Sequence, residues 1–349
     1  MSDSDHDRDN DGGPEAYYND THRAFLQAFL SRGSMTFREA QPILAAIFTI
    51  DEKQEEGDKA KGTEPADVTQ EDFESYVSAL STMTSPLDIE IRSITHQVSK
   101  ERIYALVNTT SDPVTQLATL HNAEEIAFIR RVIDAMFDKY NTPRMEVMCL
   151  DGMQANKLRS APRNEDEDVP PQEEDGNGAA TQTIGGLKGL RSSEVENVMH
   201  SMVEEGWFER SREGFYSLTA RALLELRQWL VDGYNDPDLN PNEWQRIKFC
   251  EACREIVTVG QRCAERDCCV RLHDGCGDGF WRSRKERKCP RCSRDWDGKH
   301  FVGERAVTET EAYMRGRRRS GKGRSSRGDV GRSSLAGQAI EYGEEEEEV

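Results

Sequence analysis

The order of apolar and polar positions predicts three helices and then a hairpin in the first third of the chain. Apolar residues recur with a helical period and later with a period of two. The predicted elements are helices at about 21–30, 36–48 and 70–83, and strands at about 87–92 and 103–107. Gly33 would end the first helix, and we expect the acidic insert at 51–68 to form a loop. This order is typical of a winged-helix domain.

A similar order follows once more with different residues. The predicted elements are helices at about 123–140, 145–158, 192–205 and 220–231, and strands at 207–210 and 215–218. Ser193 and Glu196 form a capping-box pattern, and a second acidic, proline-containing insert occupies 159–178. We therefore predict tandem winged helices at 15–120 and 121–235.

The charge balance limits the partners of these domains. The 349 residues include 46 Lys and Arg against 65 Asp and Glu, a net charge of −19 that disfavours coating of nucleic acid or anionic membranes. The predicted recognition helix 70–83 contains acids but no Lys or Arg. We expect no sequence-specific DNA binding, and protein docking is favoured.

The sequence lacks the signals of secretion and of membrane insertion, so we expect an intracellular protein with no membrane partner. No stretch approaches the ~18 consecutive apolar residues of a membrane span, and the first twenty residues contain no apolar signal segment. We expect a disordered leader at 1–14 and a disordered tail at 310–349, basic and then acidic. The basic part, 315–332, is a candidate nuclear-import patch or DNA-touching arm, or simply a solvated tail.

The cysteines carry the most specific signal. Eight residues have the spacing of two tetrahedral zinc sites: Cys250, Cys253, Cys263, Cys268, His273, Cys276, Cys289 and Cys292. The four pairs allow a cross-brace, although spacing alone also permits a sequential arrangement, and Cys269 could replace Cys268. Position 287 is Arg where PHD fingers usually have Trp, and the Cys-Pro-Arg-Cys ending favours a RING-like domain at 245–300. Because few large apolar residues lie within it, we expect this module to unfold when its metal is chelated.

The fold class is therefore α+β: two tandem winged helices followed by a small cross-brace double-zinc RING-like domain, with disordered acidic inserts and tails. This order resembles the non-SMC element one family, the RING-like subunits of the SMC five-six complex. Short matches support it: His22-Arg23-x-Phe25-Leu26-Gln27, Tyr104-Ala105-Leu106-Val107-Asn108, Gly260-Gln261-x-Cys263, Arg271-x-His273 and Cys292-x3-Trp296. The similarity covers about 17–300.

The resemblance implies a nuclear E3 ubiquitin ligase that acts in DNA repair. Its implied partners are a MAGE-type subunit (element three), a kleisin (element four), the SMC five-six complex and a ubiquitin-loaded E2, and its implied cofactors are two structural Zn(II) ions. No residue of the chain would itself be catalytic. We expect the winged helices to dock the MAGE-type partner.

The sequence departs from a strong E2-binding RING at several positions. The candidate E2 contacts are Ala252, Ile256, Pro290 and Arg294. Ala252 replaces a bulky aliphatic residue, and Ser293 replaces the basic residue that usually follows the last ligand. Ligase activity should therefore depend on the partner. The alternatives are an architectural subunit and a peptide-binding zinc module.

Overall fold

The computed structural model describes residues 18–56, 61–109, 120–160, 189–239 and 243–322. The predictions for the leader at 1–14, for 161–178 of the second insert and for the tail after residue 322 lie outside these residues.

The first unit has the predicted winged-helix order. Its elements are α1 (Asp20–Arg32), β1 (Ser34–Thr36), α2 (Phe37–Glu56), α3 (Gln70–Thr84), β2 (Ile89–Thr95) and β3 (Arg102–Asn108). The strands form an antiparallel sheet in the order β1-β3-β2. The Asn19 side chain caps α1, and Gly33 ends it with a φ of 71°. The core comprises Phe25, Phe29, Leu44, Phe73, Leu80 and Tyr104, among others.

The predicted loop at 51–68 is wrong at its start, because α2 continues to Glu56. The chain that follows packs back on the last turns of this helix. The Thr63 backbone N–H donates to Thr49 Oγ1 at 2.9 Å, and Thr63 Oγ1 donates to Glu52 at 2.7 Å. These long-range contacts stabilise a helical segment that its acidic composition disfavours. A short 3₁₀ turn, Pro65–Asp67, precedes α3.

The second unit repeats the order. Its elements are α4 (Ala123–Asp134), β4 (Leu150–Asp151), α5 (Gly152–Lys157), α6 (Ser192–Glu204), β5 (Phe208–Arg210), β6 (Phe215–Leu218), α7 (Ala220–Glu225) and α8 (Arg227–Tyr234). Its sheet order is β4-β6-β5. The winged-helix fold class is confirmed for both units.

Three local predictions for the second unit need correction. The predicted helix at 145–158 is helical only from Gly152, because the preceding residues pair with β6 or reach toward the metal module. The helix predicted at 123–140 is α-helical only to Asp134, and a π-helical turn follows over Ala135–Lys139. At the start of α6 the Glu194 carboxylate accepts from the Arg191 backbone N–H at 2.7 Å, so the predicted capping box of Ser193 and Glu196 is wrong.

The C-terminal module contains little regular structure. Its elements are β7 (Gly260–Arg262), β8 (Arg271–Leu272), α9 (Asp274–Arg282), β9 (Phe301–Val302), α10 (Arg305–Thr308) and α11 (Glu311–Lys322). Helix α11 contradicts the expected disorder at the start of the tail. Tyr313 and Arg317 of α11 both contact the Glu213 carboxylate in the second hairpin turn, at 3.3 and 2.6 Å.

The apolar core of the module is continuous with that of the second winged helix. One cluster of buried residues includes Phe137, Leu150 and Met202 as well as Ile256, Leu272 and Trp281. The first winged helix has its own core, and Ile94, Ala105 and Val107 of its sheet pack on Ala220 and Leu224 of α7. The metal module is therefore not an independent folding unit.

The turn between β2 and β3 joins the first winged helix to both other units. Gln97 in this turn accepts from the backbone N–H groups of Thr258 and Val259 at 3.0 and 2.8 Å and donates to the Ile256 carbonyl at 3.0 Å. His96 lies 3.2 Å from Glu209 of the second hairpin. No helix within the described ranges is long and apolar enough to cross a membrane.

Candidate metal centre

The structure brings the eight predicted ligands into two clusters of four. The first contains Cys250, Cys253, His273 and Cys276, and the second contains Cys263, Cys268, Cys289 and Cys292. Within each cluster every ligand atom lies within 4.8 Å of the others. Pairs one and three meet in one cluster and pairs two and four in the other, so the arrangement is a cross-brace and not sequential. Cys268 occupies the cluster, whereas the Cys269 thiol lies 3.0 Å from the Glu243 carbonyl.

Two matching turns present the Cys-x2-Cys pairs. The Arg254 N–H donates to the Cys250 carbonyl at 2.9 Å, and the Ser293 N–H donates to the Cys289 carbonyl at 3.0 Å. Arg254 and Ser293 follow the second cysteine of their pairs and have φ values of 64° and 61°. This left-handed conformation costs a residue with a side chain roughly 1–2 kcal/mol. The unfavourable conformation is retained because each turn directs both thiols of its pair toward one point.

The orientation of the His273 ring is fixed by a contact on the side away from the cluster. Its Nδ1 atom lies 3.3 Å from Cys253 Sγ and 3.9 Å from Cys276 Sγ. Its Nε2 atom lies 3.1 Å from the Ile256 carbonyl oxygen, to which an Nε2–H would donate. Such a hydrogen bond leaves the Nδ1 lone pair directed toward the sulfurs, as it is in many metal-binding histidines.

The donor set and its dimensions fit zinc. The Cys263–Cys292 and Cys268–Cys289 sulfurs are 3.4 and 3.5 Å apart, too far for a disulfide. A tetrahedron with Zn–S bonds of ~2.3 Å has edges of about 3.8 Å. Burial raises the pKa of Cys268 to about 11 and that of Cys276 to about 12, and the neighbouring thiols contribute to both increases. Without a cation beside them these two thiols would therefore be protonated at neutral pH.

A buried charge cluster joins the second metal cluster to the second winged helix. Glu146, which is 1% exposed, accepts from Arg271 Nε at 2.7 Å and also contacts Arg271 Nη2. Lys248 Nζ and Arg262 Nη1 lie 3.1 and 3.4 Å from the same carboxylate. Arg271 Nη1 donates to the Cys268 carbonyl at 2.7 Å. The Arg271 side chain thus links a ligand-bearing loop to a residue of the other unit.

Sequence reasoning missed most of this charge cluster. The sequence marks Arg271 only within a short family-like motif, and no local pattern singles out Glu146, which is 125 residues away. The signal is the unusual burial of three cations near the ligands, which only a structure reveals. Gln97 was likewise missed because it lies in an ordinary polar turn.

The candidate E2 contacts differ in exposure. Ala252, Pro290 and Arg294 are exposed beside the metal clusters, and Arg294 lies 2.7 Å from Glu265. Ile256 is 2% exposed and packs in the shared core. The assignment of Ile256 as an E2 contact is therefore wrong, because its side chain cannot reach a partner.

Fold and site together define a tandem winged-helix protein with a RING-like cross-brace module. Residues 22–226 match the family model described as Nse1 non-SMC component of SMC5-6 complex, and residues 250–292 match that of the RING-like domain. The chain belongs to the Nse1 family.

Curated relatives agree with this assignment, and a solved structure shares the fold. The human non-structural maintenance of chromosomes element 1 homolog is 22% identical over 282 residues, which cover 79% of this chain and 84% of the relative. The fission yeast element 1 is 26% identical over 232 residues, which cover 66% and 79% of the two chains. A chain of a solved Nse1-Nse3-Nse4 complex shares the fold, with a TM-score of 0.57 and 21% identity, and the match covers 80% of this chain and 97% of that one.

Proposed function

We propose that this chain is a RING-type E3 ubiquitin ligase subunit of an SMC5-6 complex and that it acts in the nucleus in DNA repair. The observation that carries the proposal is the cross-brace of eight ligands with Ala252 and Pro290 exposed beside it. Membership of the Nse1 family supports the assignment to the complex. Two structural Zn(II) ions would occupy the clusters, because four protein ligands at each leave no open position for catalysis.

The chemistry of such a module is positional. A RING module supplies no nucleophile of its own, so its surface would hold a ubiquitin-loaded E2 with the thioester close to a substrate lysine. The loops of Ala252 and Pro290 each follow a ligand cysteine and are fixed by the two turns that present the Cys-x2-Cys pairs. Rigid presentation of both loops is therefore the contribution of the metal clusters.

An Nse3 subunit of the MAGE type and an Nse4 kleisin are the proposed partners. One structural neighbour is a chain of an Nse1-Nse3-Nse4 complex, and it shares the fold of this chain. The first winged helix has exposed apolar side chains, including Leu30 and Ile50, each 58% exposed. The turn that contains Gln97 contacts the metal module and is therefore not available to a partner. Docking would use the helical faces of the winged helices. The weak E2-facing residues indicate that activity depends on this docking.

Ubiquitin discharge by the full chain with and without its MAGE-type partner tests the proposal. We expect lysine discharge with at least one member of an E2 panel, stimulated by the partner. Ala252→Arg and Pro290→Ala should reduce it without loss of zinc, whereas Lys299→Gln, an exposed control in the same module, should not.

An architectural role is the second candidate function, and the burial of Ile256 favours it because it leaves the E2-facing surface poor in large apolar side chains. Absence of discharge with every E2, from a complex containing two zinc equivalents per chain, would favour this role and contradict ligase activity.

A further inference from the structure

The metal module contains a strongly basic segment, residues 282–294, which we call the basic segment. It contains seven Lys and Arg and one acid, Glu286, in a chain with a net charge of −19. It begins at the last residue of α9 and ends just after the second Cys-x2-Cys pair. The charge is thus concentrated on one short, fixed piece of the module.

The basic side chains of this segment are all exposed. Lys288 pairs with Glu286 at 2.7 Å and Arg294 with Glu265 at 2.7 Å, both in solvent-exposed pairs that contribute little and separate readily. Within the described part of the chain, no acidic side chain lies within ion-pair distance of four others: Arg282, Arg284, Lys285 and Arg287. The Arg284 guanidinium lies 4.2 Å from the centre of the Phe280 ring, which orders it without neutralising it.

The composition of the segment favours a phosphate backbone over a protein as its ligand. Stable protein interfaces centre on buried aromatic or aliphatic anchors, and residues 282–288, which precede the Pro290 loop proposed to face an E2, contain none. Five of its seven cations are Arg, whose planar guanidinium matches phosphate in bidentate geometry. A zinc ion with four thiolates at the second cluster would carry −2, which the local excess of six positive charges outweighs.

We propose that the basic segment binds the phosphate backbone of duplex DNA without reading its sequence. Arg282 and Arg287 are five residues apart, so their Cα atoms are at most about 18 Å apart. A duplex of that length carries roughly ten phosphates. A duplex of that length therefore offers more phosphates than the four basic side chains can contact. Each contact should make the affinity about 3.5-fold weaker between 50 and 200 mM salt, and four should make it roughly 10²-fold weaker.

Fluorescence anisotropy with the full zinc-loaded chain and a labelled 20-base-pair duplex tests the proposal. The test variant replaces Arg282, Arg284, Lys285 and Arg287 with Gln. The matched control replaces three exposed Arg and one exposed Lys of the first winged helix with Gln, namely Arg23, Arg38, Arg92 and Lys53. Both variants change the net charge equally. The control also removes three exposed ion pairs, those of Arg23 with Asp20, Arg38 with Glu101 and Arg92 with Glu90, so it differs in the location and the pairing of the charge. Zinc content and melting temperature show that each variant is folded.

We expect binding of two unrelated duplex sequences with equal affinity and a steep salt dependence. The test variant should bind at least tenfold more weakly at 50 mM salt, and its log–log salt slope should be smaller by about three to four. The control should bind as the parent chain does. These results do not depend on ligase activity.

Three outcomes would overturn the proposal. One is the absence of binding by the parent chain at 50 mM salt, and another is an unchanged salt slope in the test variant. The third is displacement of the duplex by an equimolar acidic peptide, residues 341–349 of this chain, which would identify an acidic protein segment as the ligand. A further variant, with Arg315, Arg317, Arg318 and Arg319 replaced by Gln, separates the contribution of α11. Loss of binding in that variant alone would also contradict the proposal.

Discussion

Replacement of Glu146 with glutamine tests the buried charge cluster that joins the second winged helix to the metal module. The Glu146 side chain is 1% exposed, and three cations lie within ion-pair distance of it: Arg271, Lys248 and Arg262. Glutamine preserves the size of the side chain but removes its charge. Two guanidinium groups and an ammonium group would then be buried beside a neutral amide. We expect a large loss of stability for this reason.

Two arguments give a similar magnitude. Removal of one partner from a buried ion pair usually costs about 3–5 kcal/mol. Burial alone would raise the pKa of Glu146, but the hydrogen bonds and charge of Arg271 lower it from 4.5 to about 2. That change corresponds to about 3 kcal/mol in favour of the charged carboxylate. We therefore expect the free energy of unfolding to fall by about 3–4 kcal/mol. This loss should lower the melting temperature of the second winged helix and the metal module, which share one core, by roughly 10 °C.

Calorimetry of the full zinc-loaded chain at pH 7 measures the loss of stability. Zinc release to a colorimetric chelator provides a second readout, because Arg271 also holds the Cys268 carbonyl at 2.7 Å. Release should be faster in Glu146→Gln. The control is Glu90→Gln, which breaks a pair with Arg92 at 2.9 Å in which both side chains are about 45% exposed. The control should change stability by less than about 0.5 kcal/mol.

A loss below 1 kcal/mol in Glu146→Gln, with unchanged zinc release, would refute this reasoning. It would mean that the three cations reach solvent when the carboxylate is removed. The second winged helix and the metal module would then be held together by their shared apolar core alone.

Three further predictions concern single contacts and the shared core. The hydrogen bond that His96 donates to the Glu209 carboxylate raises the pKa of His96, so this contact stabilises the fold fully below pH 6.5 and weakens as pH rises through the raised pKa. This contact contributes less than about 1 kcal/mol to stability. Glu209→Gln should remove its contribution to the pH dependence of the melting temperature between pH 6 and 8. Ser293→Val should lower stability by about 1–3 kcal/mol and Ser293→Gly should not, because a β-branched residue is strained at a φ of 61°. Zinc chelation should remove hydrogen-exchange protection in the second winged helix but not in the first, because only the second shares its core with the module.

Each of these predictions has a contrary result. Equal pH dependence in Glu209→Gln and the parent chain would show that another group titrates. Equal melting temperatures for the two Ser293 variants would show that the turn at Cys289–Ser293 tolerates other backbone angles. Retained protection in the second winged helix after chelation would show that its core is sufficient without the metal module.

The sequence alone determined the features that depend on local spacing. The helical period around Phe25 and Phe29 and the alternation in 87–92 predicted the first winged helix, because such patterns separate a buried from a solvated face within one element. The ligand spacing likewise predicted the eight residues that the fold brings into two clusters, since a Cys-x2-Cys turn such as 250/253 or 289/292 can direct two thiols toward one point without help from the rest of the chain.

Only the tertiary structure decided the features that depend on distant partners. The continuation of α2 to Glu56 and the extended course of 145–149 follow from contacts far along the chain, which outweigh local propensity. The burial of Ile256 and the contacts of Gln97 arise where separate units meet. The pairing of Glu146 with Arg271 exists because folding encloses both in one low-dielectric interior, where an unpaired charge is costly. No local pattern records such a pairing.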